Sequence, residues 1–116
     1  MKPAVLLVDD DPDTLCWLLD NIPKQIDIHL IAVENVTQME KAISTIEFSL
    51  IVTDFRMPER DGSHVLHALN ERGLKIPVIF YTSEPNQIQS LFGLEGQIVK
   101  KPEFEKLVQT MLQYLK

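Results

Sequence analysis

Five short apolar runs, at residues 4–8, 30–33, 50–53, 78–81 and 98–99, alternate with longer segments whose apolar residues recur every three or four positions. Continuous runs of this length read as strands, and the longer period reads as amphipathic helix. The alternation therefore predicts a parallel β-sheet joined by crossover helices. Few polar residues interrupt the runs, so the central strands are expected to be covered on both faces.

The intervening segments carry helix punctuation. Asp11 is a capping residue, Pro12 suits the first helical position, and Leu15, Leu18, Leu19 and Ile22 form one apolar face before Pro23 stops the turn. Asn35 caps a second helix with Val36, Met39, Ile43 and Ile46 inward, and a third, with Val65, Leu66 and Leu69 inside, ends at Gly73. A short fourth opens at Pro85, turns Ile88, Leu91 and Phe92 inward and closes at Gly93. The last places Phe104, Leu107, Val108, Met111, Leu112 and Leu115 on one stripe. No internal repeat or linker is visible, and 116 residues make one domain, spanning the whole chain.

Composition narrows the function. The net charge is −6, with the basic residues scattered except at Lys100 and Lys101, which argues against direct nucleic-acid binding. Cys16 is the single cysteine, so no intrachain disulfide forms, and the expected compartment is the reducing cytoplasm. No run approaches the roughly 20 apolar residues that cross a bilayer, and no secretory leader is evident.

Chemistry gathers where such a sheet binds its ligands, beyond the carboxyl ends of the strands. The first run leads into Asp9, Asp10 and Asp11, the third into Asp54, the fourth into Thr82 and Ser83, and the fifth into Lys100 and Lys101. Carboxylates converging from two adjacent strands repel one another unless a cation sits among them. A hard divalent ion such as Mg²⁺, held by one or two carboxylates and a substrate phosphate, meets that need. A carboxylate beside such an ion can itself attack a phosphoryl group, while a lysine ammonium and a hydroxyl stabilise the group in transfer.

In these residues the chain resembles the receiver domain of two-component response regulators. The resemblance runs over the whole chain: Val8-Asp9-Asp10, a lone Asp54 followed by Met57-Pro58 and Asp61-Gly62, Thr82 with the small Ser83, and Lys101-Pro102. It implies a flavodoxin-like α/β fold, a five-stranded parallel sheet in order 2-1-3-4-5 with helices on both faces. It further implies that Asp54 is the phosphoacceptor, that Asp9, Asp10, Asp54 and the backbone carbonyl of Arg56 hold Mg²⁺, that Thr82 is the switch hydroxyl and that Lys101 pairs with the phosphoryl group. Its partner would be a histidine kinase or a histidine phosphotransfer protein, with an output domain if the chain is part of a longer protein. The domain would be a monomer or weak dimer, self-phosphorylating and slowly autodephosphorylating. Two features depart from the pattern. Ile98 stands where receivers usually carry an aromatic or His three residues before the lysine, and the stretch from Thr82 to Lys101 is shorter than usual by roughly a helical turn.

Blander readings compete at several positions. Asp11 and Asp13 are explained by helix capping and the helix dipole. His64 and His67, three apart, are expected on a solvated helix face, Trp17 is expected to pack, and Cys16 has no basic neighbour in sequence to activate it. Lys101 is expected to serve the phosphorylated form and not the unmodified fold. Three rival functions compete with this reading. A haloacid-dehalogenase-like phosphatase would need a further acidic strand end after its lysine, where only one helix remains. A flavodoxin-type nucleotide binder would need a Gly/Ser/Thr phosphate loop in place of three aspartates. A degenerate receiver acting only as an interaction module sits poorly with the retained acceptor, acidic pair, hydroxyl and lysine, although Ile98 is compatible with it.

Overall fold

Every predicted apolar run is a strand: β1 Ala4–Val8, β2 His29–Val33, β3 Leu50–Thr53, β4 Val78–Thr82 and β5 Ile98–Lys100. The computed structural model describes residues 2–86 and 97–115. All pairings are parallel, and the sheet order is β2-β1-β3-β4-β5, as expected. Among the described residues four α-helices connect or flank the strands: α1 Pro12–Asn21, α2 Val36–Thr45, α3 Gly62–Glu71 and α4 Phe104–Tyr114. A 3₁₀ turn, Ile22–Lys24, extends α1 past the expected stop and contains Pro23. The predicted helical positions Ile88, Leu91, Phe92 and Gly93 lie outside the described residues.

The two-residue alternation of side chains along each strand divides the apolar residues between two cores. Val5 and Leu7 of β1, Val52 of β3 and Tyr81 of β4 pack with Leu15 and Leu18 of α1 and Leu107 and Met111 of α4. Leu6, Val8, Ile51 and Phe80 pack on the opposite face with Met39 of α2 and Val65 and Leu69 of α3. The helices thus cover both faces, and β1, β3 and β4 are almost entirely buried.

Three helix starts are fixed by their caps. Asp11 accepts the Thr14 hydroxyl at 2.7 Å and the Asp13 N–H at 3.2 Å, and Asn35 accepts the Gln38 N–H at 2.8 Å. Asp61 accepts the Ser63 N–H at 2.9 Å, while its own N–H donates to His64 Nδ1 at 3.1 Å. His64 therefore completes a capping box, and His67 pairs with Glu71 at 2.6 Å. Gly73, past the end of α3, has φ 64°, the left-handed conformation that glycine adopts most readily.

Three expected core positions are corrected: Leu19, Ile46 and Leu112 are 39%, 37% and 42% exposed. Each helix rests on a single sheet, so only a narrow stripe is covered, and a residue at its margin turns to solvent. Leu66 is only partly buried. Thr110 takes an unexpected buried place on α4, with its hydroxyl donating to the Lys106 carbonyl at 2.8 Å. Trp17 packs edge-on against Phe104 with ring centroids 4.6 Å apart, yet it stays half exposed.

Two contacts secure the loop between β3 and α3. The Gly62 N–H donates to the Phe55 carbonyl at 2.8 Å, and a Cβ at Gly62 would lie 2.6 Å from both the Phe55 and Phe80 rings. Only glycine fits there. Glu40 of α2 accepts from Arg60 Nη1 at 2.7 Å and from Arg72 Nη2 at 3.3 Å, tying the loop and the end of α3 to α2.

Gly62→Ala should destabilise the protein by roughly 1–3 kcal/mol, the range for overpacking a dense core, as read by urea unfolding. The carboxyl of Glu40 is held below its ordinary 4.5, chiefly by the hydrogen bond from Arg60. A depressed acid stabilises the fold above its unfolded-state pKa, and that contribution is lost as pH falls through its folded value. Glu40→Gln should therefore lower the melting temperature at neutral pH, and the gap from wild type should close as pH falls below 4.5.

Candidate functional site

Asp9, Asp54 and Lys101 are each the first residue beyond a strand, and each remains in the sheet's hydrogen-bond ladder. The Asp9 N–H donates to the Val33 carbonyl at 3.1 Å, the Asp54 N–H to Val8 at 2.9 Å, and the Lys101 N–H to Thr82 at 2.8 Å. The backbones carrying the three charges are thus held by strand pairing and not by loop conformation.

Their side chains converge. Lys101 Nζ lies 2.8 Å from Asp9 Oδ2 and 3.3 Å from Asp54 Oδ2. Asp9 Oδ1 accepts the Asp11 N–H at 2.9 Å, and Asp54 Oδ1 accepts the Phe55 N–H at 2.8 Å. Asp9 is 4% exposed, whereas Asp10 is exposed and Asp54 is intermediate. One carboxylate oxygen from each of Asp9, Asp10 and Asp54 can be chosen so that all three lie within 4.8 Å of one another. Three convergent carboxylates form a hard oxygen donor set suited to a divalent cation.

Burial pushes the Asp54 carboxyl above its ordinary value; the Asp9 charge adds to the rise and Lys101 opposes it. For Lys101, burial pulls the ammonium downward, but the hydrogen bond to Asp9 and the charges of Asp54 and Asp9 outweigh it and raise the pKa. Lys101 is therefore already engaged in the unmodified protein, contrary to the expectation that its charge serves only the phosphorylated form.

Thr82 ends β4 at 2% exposure, and its hydroxyl accepts the Glu84 N–H at 3.3 Å. Arg56, two residues past Asp54, reaches Glu84 with Nε 2.9 Å from Oε2, so an ion pair spans the loops after β3 and β4. Tyr81 lies beneath Lys101, with the ammonium 5.9 Å from the ring centroid. Sequence reasoning singled out neither Glu84 nor Tyr81. Glu84 carried a usable signal, since Arg56 and Glu84 stand two residues past site residues on neighbouring strands. Cys16 is exposed on α1, and among the described residues His64 and His67 belong to no metal-ligating group.

The sequence profile of the response regulator receiver domain family matches residues 5–112. Among curated proteins, the chain is 27% identical to the sensor histidine kinase GacS of Pseudomonas protegens over 97% of its own length and 13% of that protein's. It is 23% identical to the response regulator protein GraR of Staphylococcus epidermidis, covering 94% of the chain and 49% of that protein. The chain thus spans half or less of these relatives. Among solved structures it resembles the receiver domain of the Francisella response regulator 1452, with TM-score 0.81 and 24% identity, covering 97% of each chain. It also resembles the signal receiver domain of an HD domain-containing protein from Pseudomonas fluorescens, with TM-score 0.84 and 20% identity, covering 99% of this chain and 95% of that one. At these identities the two structures speak to the fold. No helix among the described residues is long and apolar enough to cross a membrane.

Lys101→Met would leave two carboxylates facing each other without their ammonium. It should lower stability by roughly 3 kcal/mol, the low end of the range for removing one partner of a buried pair. Added divalent cation should restore part of that loss if it compensates the same charges. Chemical denaturation of wild type and variant, with chelator and with cation, measures both effects.

Proposed function

The chain belongs to the response regulator receiver domain family, and we propose on that premise that it takes a phosphoryl group from the phosphohistidine of a histidine kinase or histidine phosphotransfer protein onto Asp54. The observation that carries this reading is the meeting of Asp9, Asp54 and Lys101 through one ammonium, with Asp10 alongside. A carboxylate oxygen of Asp54 forms the new O–P bond as the N–P bond breaks, and the electron pair of that bond stays on the departing imidazole. Lys101, already between the two carboxylates, is placed to follow the growing negative charge on the phosphoryl oxygens. The Thr82 hydroxyl is assigned to a phosphoryl oxygen once the group is attached. Asp9, Asp10, Asp54 and the carbonyl of Arg56 would hold Mg²⁺. When bound, the ion neutralises the carboxylates and the phosphoryl oxygens together.

The surrounding assignments follow the same reading. The chain forms one domain, acts in the cytoplasm, binds no nucleic acid directly and is a monomer or weak dimer. It serves an output carried elsewhere in a longer protein or in a separate partner. Relatives named as a sensor histidine kinase and a response regulator protein support this partner class. Self-phosphorylation and slow autodephosphorylation accompany the family's chemistry. The convergent, ion-paired site favours this over an interaction module without phosphoryl chemistry.

Incubation with acetyl phosphate and Mg²⁺ should add the mass of one phosphoryl group to the wild-type protein and none to Asp54→Asn. Equal labelling of the variant would refute Asp54 as acceptor. Asp10→Asn should weaken Mg²⁺ binding by roughly tenfold or more, the loss of one charged ligand among few, as measured by calorimetry. Unchanged affinity would remove Asp10 from the metal site.

A further inference from the structure

Beside the acidic cluster, on the face covered by α1 and α4, lies a cavity of about 330 Å³. Trp17, Leu18, Tyr81 and Pro102 form its apolar walls, and Asp13 and Lys101 stand at its polar margins. Its volume lies at the lower end of the range for small-molecule sites. It offers room for roughly ten non-hydrogen atoms at about 30 Å³ apiece.

Tyr81 gives the cavity chemical direction. The residue is 5% exposed, and among the described residues no hydrogen bond reaches its hydroxyl. Buried phenols ordinarily find a partner. The hydroxyl is not sealed off from solvent-sized space, since no fully enclosed side-chain polar atom lacks a partner among the described residues. Tyr81 thus brings a hydrogen-bonding group to a wall that is apolar apart from Thr14.

The charges around the cavity select the ligand. Lys101 contributes one positive charge, but Asp9 and Asp54 already hold it, and the Asp11 carboxylate feels it as well. Asp13 stands on the rim, and the Glu103 charge reaches Tyr81. The surroundings are therefore net acidic and disfavour an anion, and the Trp17 ring favours a cation at its face, whereas the Tyr81 ring already has the Lys101 ammonium 5.9 Å from its centroid. We propose that this cavity is a binding site for a small arylalkylammonium ligand. Its ring packs on Trp17, Leu18 and Pro102, and its ammonium donates to the Tyr81 hydroxyl in the field of Asp13. The proposal requires no phosphorylation, and Lys101 borders both this cavity and the site at Asp54.

Trp17 is the single tryptophan of the chain, so its emission reports occupancy directly. In chelator, without divalent cation, phenethylammonium should change that emission saturably below roughly ten millimolar, a reasonable affinity for a ligand of this size. Phenethyl alcohol should bind more weakly and phenylacetate more weakly still. Methylammonium, which carries the charge without the ring, should not compete. Tyr81→Phe and Asp13→Asn should each weaken phenethylammonium by roughly threefold, the effect of one partly exposed polar or ionic contact. Phenylacetate binding as tightly as the ammonium, competition by methylammonium, or no saturation in that range would each overturn the proposal. So would unchanged affinity in both variants. The ranking of the four probes on the wild-type protein decides the matter even if a variant fails to fold.

Discussion

A single ammonium allows two neighbouring strands to end in carboxylates. At about 4 Å and an effective dielectric constant near 20, two like charges repel by roughly 4 kcal/mol, a large fraction of the stability of a small domain. Lys101 answers that repulsion by contacting both Asp9 and Asp54. It can do so because the ladder bonds of β1, β3 and β5 each continue one residue past the strand. The parallel register therefore comes first, the convergence of the charges follows from it, and the lysine makes that convergence tolerable.

The same arrangement leaves the site poised for an added charge. Asp9 is held by an ammonium and by a backbone N–H from the start of α1, so little freedom remains to it. Asp54 has the longer contact to Lys101, and burial raises its pKa. It is the less satisfied carboxylate of the pair. In the proposed cycle the group with the weaker hold on the shared ammonium is the one that becomes phosphorylated, and the added negative charge then competes with Asp9 for Lys101. The chemistry thus acts on the contact that already stabilises the site.

Strand positions and strand ends were legible in the sequence because a buried parallel strand has to be almost wholly apolar, and a polar residue marks where it leaves the core. That ground located the polar strand ends, from Asp9 to Asp11, at Asp54, at Thr82 and Ser83 and at Lys100 and Lys101, and the resemblance to receiver domains selected Asp9, Asp54, Thr82 and Lys101 among them. Helix caps were readable because Asp11 and Asn35 offer a short acceptor at the correct spacing. The margins of the helix faces were not. Leu19, Ile46 and Leu112 continue the apolar period but fall beyond the width of helix that one sheet covers, and Thr110 is buried because its hydroxyl finds a carbonyl on its own helix. Pairings between distant residues, such as Glu40 with Arg60 and Arg72, leave no periodic trace. The position of Lys101 beyond β5 is legible and its contacts with Asp9 and Asp54 are not, because a sequence shows charges at strand ends without the distances between them.

Ile98 bears on how a change at Asp54 leaves the site. It is partly buried against the core that contains Phe80, on a strand of three residues, and its β-branched side chain is stiff about its first bond. A β-branched side chain so held is poorly suited to exchange between buried and exposed positions. Thr82 is connected differently. Its carbonyl accepts the N–H of Lys101 and its hydroxyl accepts the N–H of Glu84. Glu84 in turn is bound to Arg56 through side chains exposed by 46% and 65%. An exposed ion pair of this kind contributes little to stability, so it yields readily when the hydroxyl beneath it is drawn to a new acceptor. In the proposed cycle a change at Asp54 would therefore pass from Lys101 to Thr82 and on to Glu84 and Arg56 more readily than through Ile98.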